Sequence, residues 1–261
     1  MSKMTNRLSD SQLADIAKQK YETQQINRVP GTIVELPSRG MVYPESSALR
    51  SGTVEMRYMT AYDEDILTNA SYIKQGIMLD KLLESLILTP GFKIKDLAVA
   101  DKEWLVISAR IASYGSAYDV QITDPTGKPL STSVELSKLQ FKPFDLKSDA
   151  NGEFDYITES GDKLKYKYPT NFVMNNLPED RVISFLLENC ITQVNDTRLP
   201  AEITEYLKYN MRSIESRKFR AHIADTTPGI DMTYEFEYVT KEGNKETFRA
   251  GFPIGSDFLW I

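Results

Sequence analysis

The chain has 261 residues, 41% of them hydrophobic and 26% charged, a composition typical of a globular protein with one large domain or two smaller ones. A formal net charge of −6 disfavours a dedicated nucleic-acid-binding protein, which usually presents a basic face. No apolar run approaches the roughly 20 residues of a membrane-spanning helix. The N-terminus lacks the apolar core of a secretory signal, so we expect synthesis in a cytoplasm.

A single cysteine and a single histidine restrict the chemistry that the chain could perform. Cys190 cannot form an intrachain disulfide or a cysteine-based metal site, and its apolar neighbours predict a buried thiol. A hydrolase with a Ser–His or Cys–His pair would have to use His222, and no recognised catalytic signature surrounds it. We therefore predict a protein that is not an enzyme, with no catalytic residue, metal, cofactor or small-molecule substrate.

The N-terminal residues 1–29 are polar, with a short amphipathic stretch at Leu13, Ile16 and Ala17. This segment has too little apolar surface to fold by itself. We expect an arm that frays in an isolated domain or becomes ordered against a neighbour in an assembly.

Globular character begins with a predicted strand over 31–36 and a loop over 37–44 whose prolines and glycine prevent regular structure. Two interpretations fit this loop. It either covers the core rigidly or docks a partner with Arg39 and Tyr43 exposed. The apolar residues that follow Gly40, Met41 among them, favour docking.

A second strand is predicted over 53–61, because apolar Val54, Met56 and Tyr58 alternate with charged Glu55 and Arg57. Three helices follow, over 63–69, over 77–87 and from Asp101 to Gly115. We expect Thr60 or Asp63 to cap the first of them.

The acidic run Asp63, Glu64 and Asp65 suggests either a divalent metal site or the charged N-terminus of a helix. Adjacent helical residues point in different directions and do not converge on one ion. The helix N-terminus, where acidic side chains complement the dipole, is therefore the preferred interpretation.

In the second half we predict a strand over 163–168, helices over 178–194 and 200–224, and a hairpin over 233–250. Pro178 suits the first turn of the first of these helices. An earlier hairpin is predicted around the turn DPTGKP, entered by a strand at 117–122. The basic residues Arg212, Arg217, Lys218 and Arg220 are interpreted as a solvated helix face.

These elements predict an α+β fold with helical layers, short antiparallel strands and two hairpins. We divide the chain into an arm (1–29), a first half (30–125), a turn-rich connector (126–162) and a second half (163–261). Ala109–Ala112 and Ala221–Ala224 are similar and end corresponding helices. A pseudo-duplicated β-αα-β arrangement and chance similarity both remain open.

The C-terminus is unusually apolar, whereas chain ends are usually polar and mobile. It is expected to be either an intramolecular plug or an interface anchor with Phe258 and Trp260 as the central contacts. With the loop, it supplies the candidate partner contacts: Arg39, Met41, Tyr43, Phe252, Ile254, Phe258 and Trp260.

Several segments together resemble one family of proteins. They are LPSRGMVYPE (36–45), GTVEMRYMTAYDEDIL (52–67), IKQGIMLDKLLES (73–85), AYDV (117–120), PGIDM (228–232) and PIGSDFLW (253–260). In this order they resemble the baseplate hub assembly proteins of T-even-type contractile-tailed bacteriophages. The resemblance implies a non-enzymatic structural or assembly component of the baseplate hub, with other tail proteins as partners.

Its implied location is the host cytoplasm during assembly, and the virion baseplate if it stays in the particle. An assembly chaperone that leaves the particle is an open alternative. A hub enzyme that degrades the cell envelope is less favoured, because no recognisable carboxylate pair is present.

The resemblance also implies a zinc ribbon, since many members of the family carry a CPxCG-like knuckle and a second cysteine pair. This chain has Asp124–Gly127 at the first position and no cysteine between 238 and 243 at the second. No zinc is therefore expected, and cross-strand pairs have to stabilise each hairpin, with Tyr234, Phe236, Tyr238 and Phe248 as the expected members.

Overall fold

The computed structural model describes residues 30–252 and 258–259. The predicted N-terminal arm, Ile254 and Trp260 lie outside these residues. Within them the fold is α+β, as predicted, with small antiparallel sheets around the helices. The helices are α1 (Ala61–Leu67), α2 (Ala70–Gln75), α3 (Met78–Leu86), α4 (Val99–Tyr114), α5 (Asn171–Asn175), α6 (Val182–Cys190), α7 (Pro200–Tyr209) and α8 (Ser213–Thr226).

The strands are short and pair mostly with a neighbour in sequence. They are β1 (Gly31–Glu35), β2 (Thr53–Arg57), β3 (Ala117–Thr123), β4 (Pro129–Glu135), β5 (Gln140–Phe141), β6 (Phe154–Ile157), β7 (Lys163–Tyr166), β8 (Ile191–Val194), β9 (Ile230–Asp231), β10 (Thr233–Val239) and β11 (Lys245–Gly251). Four sheets have two strands each, β1-β2, β3-β4, β5-β9 and β10-β11, and β6-β7-β8 has three.

The helices of the first half are confirmed close to their predicted bounds. Thr60 is the N-cap of α1, and its backbone N–H donates to Asp63 Oδ2 at 2.8 Å. Helix α4 begins at Val99, so Asp101 lies in its first turn rather than at its start. It ends where predicted, at Gly115, whose N–H bonds to Ile111 O at 3.0 Å.

Two helix predictions in the second half were wrong in extent. The helix predicted over 178–194 is α6, and Pro178 precedes it; the chain then turns into β8, which pairs with β7. β8 contains Ile191 and Val194, both buried, and β-branched residues favour a strand.

The single helix predicted over 200–224 is two helices, because α7 ends at Tyr209. A new helix start follows, in which Arg212 N–H donates to Glu215 Oε2 at 3.3 Å and Glu215 N–H donates to Arg212 O at 3.0 Å. An acidic residue in the first turn is a start signal that the apolar periodicity alone obscured.

Both predicted hairpins are confirmed, β3-β4 and β10-β11. Phe236 lies opposite Phe248, with ring centroids 5.8 Å apart, which is the cross-strand aromatic support expected for the second hairpin. At the first turn, Asp124 Oδ1 accepts from the N–H of Thr126 at 2.8 Å and of Lys128 at 2.9 Å. Carboxylate hydrogen bonds thus hold this turn, which contains no cysteine.

The segment 126–162 contains three strands as well as turns. β4 pairs back to the first half, whereas β6 pairs with β7 and β5 pairs with β9 of the second half. The segment therefore contributes hydrogen bonds to both predicted halves. The division into four segments stays a prediction.

A continuous apolar core includes residues from both predicted halves, from Leu36 and Leu83 to Phe219 and Phe236. The aromatic rings of Phe144, Phe154, Tyr166 and Tyr168 form one part of it, with centroids 5.2–6.0 Å apart. Among the described residues, no helix has the length and apolar character needed to cross a bilayer.

Candidate functional site

The loop 37–44 is held against the body by a buried hydrogen-bond network centred on Asp101. Asp101 is fully buried in the first turn of α4 and accepts from Ser38 N–H at 3.0 Å and from Ser38 Oγ and Tyr43 O–H at 2.6 Å each. Tyr43 Oη also accepts from the N–H of Ala98 at 3.0 Å. Burial raises the pKa of Asp101, while the bonds from Ser38 and Tyr43 oppose that rise.

The prediction that Tyr43 is exposed on a docking loop was therefore wrong. Tyr43 is 3% exposed, because its ring packs in the core and its hydroxyl bonds to a buried carboxylate. Burial, together with the adjacent Asp101 carboxyl, raises the pKa of Tyr43 well above its ordinary value. Arg39 is exposed as predicted, and Met41 is half-buried against the core.

Two more contacts fix the loop. Arg50 Nη1 donates to Tyr43 O at 2.8 Å, to Met41 O at 3.3 Å and to Ser148 Oγ at 2.8 Å. Gly40, with φ of 78°, lies so close to Arg50 that a Cβ atom on it would be 2.3 Å from Arg50 O. In the described structure the loop is thus a rigid cover whose exposed tip is Arg39.

The outer side of this loop lines an open concave region of about 680 Å³. Its lining includes Pro44 and Ser46 together with two lysines, Lys93 and Lys167. The resemblance motif therefore borders a concave surface even though its aromatic residue is buried.

The C-terminal tail packs against the first hairpin. Phe252 and Phe258 are 6% and 3% exposed, and the Phe258 ring lies edge-to-face with Tyr118 at 5.1 Å between centroids. Leu259 is buried beside it. For these residues the tail is an intramolecular plug, which was one of the two predicted alternatives; Ile254 and Trp260 lie outside the described residues.

Phe258 also completes the surroundings of a buried cation. The Arg110 guanidinium is 5.3 Å from the Tyr118 ring centroid and 5.6 Å from that of Phe258. Its Nη2 donates to Ala117 O at 3.2 Å, whereas Nε and Nη1 have no hydrogen-bond partner in the described part of the chain. Aromatic faces are therefore a large part of what stabilises this charge.

The acidic run at the start of α1 contributes to the fold through Asp63. Asp63 is buried and accepts two bonds of 2.7 Å from the Arg57 guanidinium and one of 2.8 Å from Ser85 Oγ. Burial alone would raise the pKa of Asp63, but the bonds from Arg57, Thr60 and Ser85 outweigh it and lower the pKa to about 2. Glu64 and Asp65 are exposed, so the three carboxylates do not converge, which confirms the helix-terminus interpretation.

Cys190 and His222, the two residues that a Cys–His hydrolase would need, are each packed among neighbours of the fold. Cys190 is buried as predicted, and burial raises the pKa of its thiol to about 12, so the thiolate is scarce at neutral pH. His222 Nε2 lies 2.9 Å from Tyr166 Oη, and burial lowers the pKa of this histidine. Within the described residues, no group of three or more His, Cys, Asp or Glu side chains is arranged to hold a metal.

Most of the predicted basic face on α8 is solvated. Arg212, Arg217 and Lys218 are exposed, and Arg212 Nη2 pairs with Glu215 Oε1 at 3.3 Å. Arg220 is half-buried and lines a groove between α6, α7 and α8. The basic residues therefore do not form one isolated patch of positive charge.

The structure adds exposed apolar residues that sequence reasoning did not select. Phe172 and Met174 on α5 are 53% and 39% exposed, and Val182 and Ile183 at the start of α6 are 39% and 49% exposed. Val182 and Ile183 fell in a predicted helix, in which apolar residues normally face the core, whereas Phe172 and Met174 fell in no predicted helix. Only the tertiary packing shows which of them face outward.

Together, these observations define an α+β protein whose buried ionisable groups serve packing and whose surface displays large apolar side chains. A family model described as T4 bacteriophage base plate protein matches residues 32–249. No curated protein and no solved structure matches the chain. The match covers most of the chain, so the chain belongs to this family and is a phage baseplate component.

Proposed function

We propose that the chain is a non-enzymatic structural or assembly component of the baseplate hub in a contractile phage tail, and that it acts through protein–protein contacts. The observation that carries this proposal is the group of exposed apolar residues on α5 and at the start of α6. Exposed aromatic and aliphatic side chains of this kind are common at interfaces. The contact of His222 with Tyr166 and the burial of Cys190 support the absence of enzymatic chemistry.

The test is complementation of a phage that lacks this gene. We expect the double variant Phe172→Ser/Ile183→Ser to fold normally, because both side chains are exposed, and to fail to support plaque formation. Tyr62→Ser is the matched control, since Tyr62 is an 86% exposed aromatic residue on a different helix, α1. Full plating by the double variant would contradict a contact role for the surface.

Mass spectrometry of purified virions separates a resident component from a chaperone that leaves. We expect peptides of this chain in mature particles. Their absence from virions that still require the gene would favour the chaperone. A peptidoglycan-clearing assay with the purified chain tests the enzymatic alternative, and clearing above that of a buffer blank would overturn the proposal.

A further inference from the structure

The outer edge of β1 has unpaired backbone groups among the described residues. Tyr58 N–H donates to Pro30 O at 2.9 Å and Leu36 N–H to Gly52 O at 2.8 Å. In an antiparallel ladder these bonds alternate, so the N–H and C=O groups of Gly31, Ile33 and Glu35 point away from β2. Within the described residues, the one hydrogen bond to these outward groups is a long one of 3.5 Å, from Thr32 Oγ1 to Ile33 O.

The opposite edge of the same sheet is already covered. Leu88 N–H donates to Glu55 O at 2.8 Å, and Glu55 N–H donates to Thr89 Oγ1 at 2.8 Å. β1 is therefore the edge of this sheet that is open to a further strand within the described residues.

The side chains around this edge have a definite pattern. Ile33 is 74% exposed, and β-branched apolar residues are unusual at the centre of an unprotected edge strand. Its same-face neighbours Glu35 and Glu55 are exposed, the latter directly opposite it across the ladder. No ion pair involves either carboxylate in the part of the chain that the structure describes.

Edge strand β6 provides an internal contrast. Ile157 is 65% exposed there, in a ladder position equivalent to that of Ile33. Its same-face neighbour Asp155, however, already pairs with Lys165 Nζ at 3.3 Å. The unpaired negative charge thus distinguishes β1.

We propose that β1 accepts an extended segment of a partner baseplate protein as an added strand. The segment has an apolar residue against Ile33 and, on the same face, lysine or arginine beside Glu35, where the nearby carboxylate of Glu55 on β2 also favours positive charge. Backbone hydrogen bonds provide much of the affinity in this mode of recognition, and alternate side chains provide the selectivity. The inference rests on the proposed function and names the chemistry of one partner.

The test uses the full-length chain and a blocked nonapeptide in which arginine and valine alternate at every second position, with threonine between them, so that arginine and valine share one face of the strand. Binding is measured by fluorescence anisotropy. Ile33→Pro removes an outward N–H without removing a β1-β2 bond, and we expect it to weaken binding at least about ten-fold. Ile157→Pro is the matched control and leaves affinity unchanged. A valine–glutamate peptide is expected to bind more weakly because Glu35 and Glu55 repel it.

Equal affinity of the Ile33→Pro variant and the unaltered chain, or no binding by the unaltered chain, would overturn the proposal. If Ile33→Pro does not fold, Ile33→Lys keeps the backbone donor, repels the basic peptide and is expected to weaken binding as well.

Hydrogen exchange gives a second readout, in which we expect the Ile33 amide to exchange rapidly in the free chain and to be protected by the peptide. An amide that is already protected, and that is released by deleting residues 1–29, would show that the chain's own arm covers the edge and would also overturn the proposal. Any of these negative results, together with normal plaque complementation by the Ile33→Pro chain, would refute this inference and leave the proposed function intact.

Discussion

At the scale of single residues, buried polar contacts determine the conformation of the motif loop. Asp101 joins Ser38 and Tyr43 to the first turn of α4, and Arg50 joins the loop carbonyls to Ser148. Unmade bonds to a buried carboxylate are costly, so these residues hold the loop in one arrangement. The loop therefore presents Arg39 on a rigid base.

Gly40 tests this rigidity. We expect Gly40→Ala to destabilise the chain by at least about 2 kcal/mol, since it combines a positive φ with a backbone clash. Gly127→Ala is the control, because its φ is also positive, 85°, but no atom lies within 4 Å of the added Cβ. We expect the control to cost about 1 kcal/mol. Urea unfolding measures both, and equal losses would refute the close-packing argument.

At the scale of elements, charged side chains connect helices to strands. The Arg57–Asp63 pair ties β2 to the start of α1, and Ser85 adds the end of α3. A second pair, Lys102 with Asp80, links α4 to α3. These contacts connect α1, α3 and α4 to one another and to the β1-β2 sheet that carries the proposed docking edge.

The Asp63 pair predicts a dependence of stability on pH. The pKa of Asp63 is about 2 in the fold against an ordinary value of 3.8. The charged form is therefore favoured by folding, and its contribution is complete above about pH 4 and lost as the pH falls towards 2. A shift of this size corresponds to about 2 kcal/mol.

We expect Asp63→Asn to lower the free energy of unfolding at pH 7 and to flatten its decline between pH 4 and pH 2. Asp65→Asn, which alters an exposed carboxylate of the same helix, is the control and is expected to leave the profile close to that of the unaltered chain. Chemical unfolding at a series of pH values measures the free energy of unfolding of both variants and of the unaltered chain. An unchanged acid profile in Asp63→Asn would contradict the assignment.

At the scale of the whole molecule, the core is continuous across the predicted halves, and the C-terminal plug closes it beside the first hairpin. The order of a helix followed by a hairpin occurs twice, at α4 with β3-β4 and at α8 with β10-β11. This order agrees with the pseudo-duplicated arrangement. A common origin of the two halves stays a hypothesis.

The plug predicts a large effect of one substitution far from the loop. We expect Phe258→Ala to destabilise the chain by about 3 kcal/mol, because it leaves a cavity and removes one aromatic face from the buried Arg110. Val239→Ala, at a half-exposed apolar residue of β10, is expected to cost much less. Thermal unfolding compares them, and a Phe258→Ala variant as stable as the unaltered chain would show that the plug is dispensable.

The sequence by itself determined the α+β class, the two hairpins, the capped α1, the stop at Gly115, the buried Cys190 and the family. These features depend on local signals, such as period-two alternation, capping residues, turn glycines and an ordered set of motifs. The strand β8 was missed because apolar runs in helices and in strands look alike over a few residues, and the break before α8 because the apolar periodicity obscured the start signal at Glu215.

Only the tertiary structure decided which apolar residues are buried in the core and which are exposed. Tyr43 and Phe258 looked like contacts and are buried, whereas Ile33 and Phe172 belong to ordinary apolar patterns and are exposed. Exposure depends on elements distant in sequence, here Asp101 for Tyr43 and Tyr118 for Phe258. Likewise, only the tertiary structure shows that Leu88 and Thr89 cover the β2 edge of this sheet, whereas no strand pairs with the outer edge of β1 within the described residues.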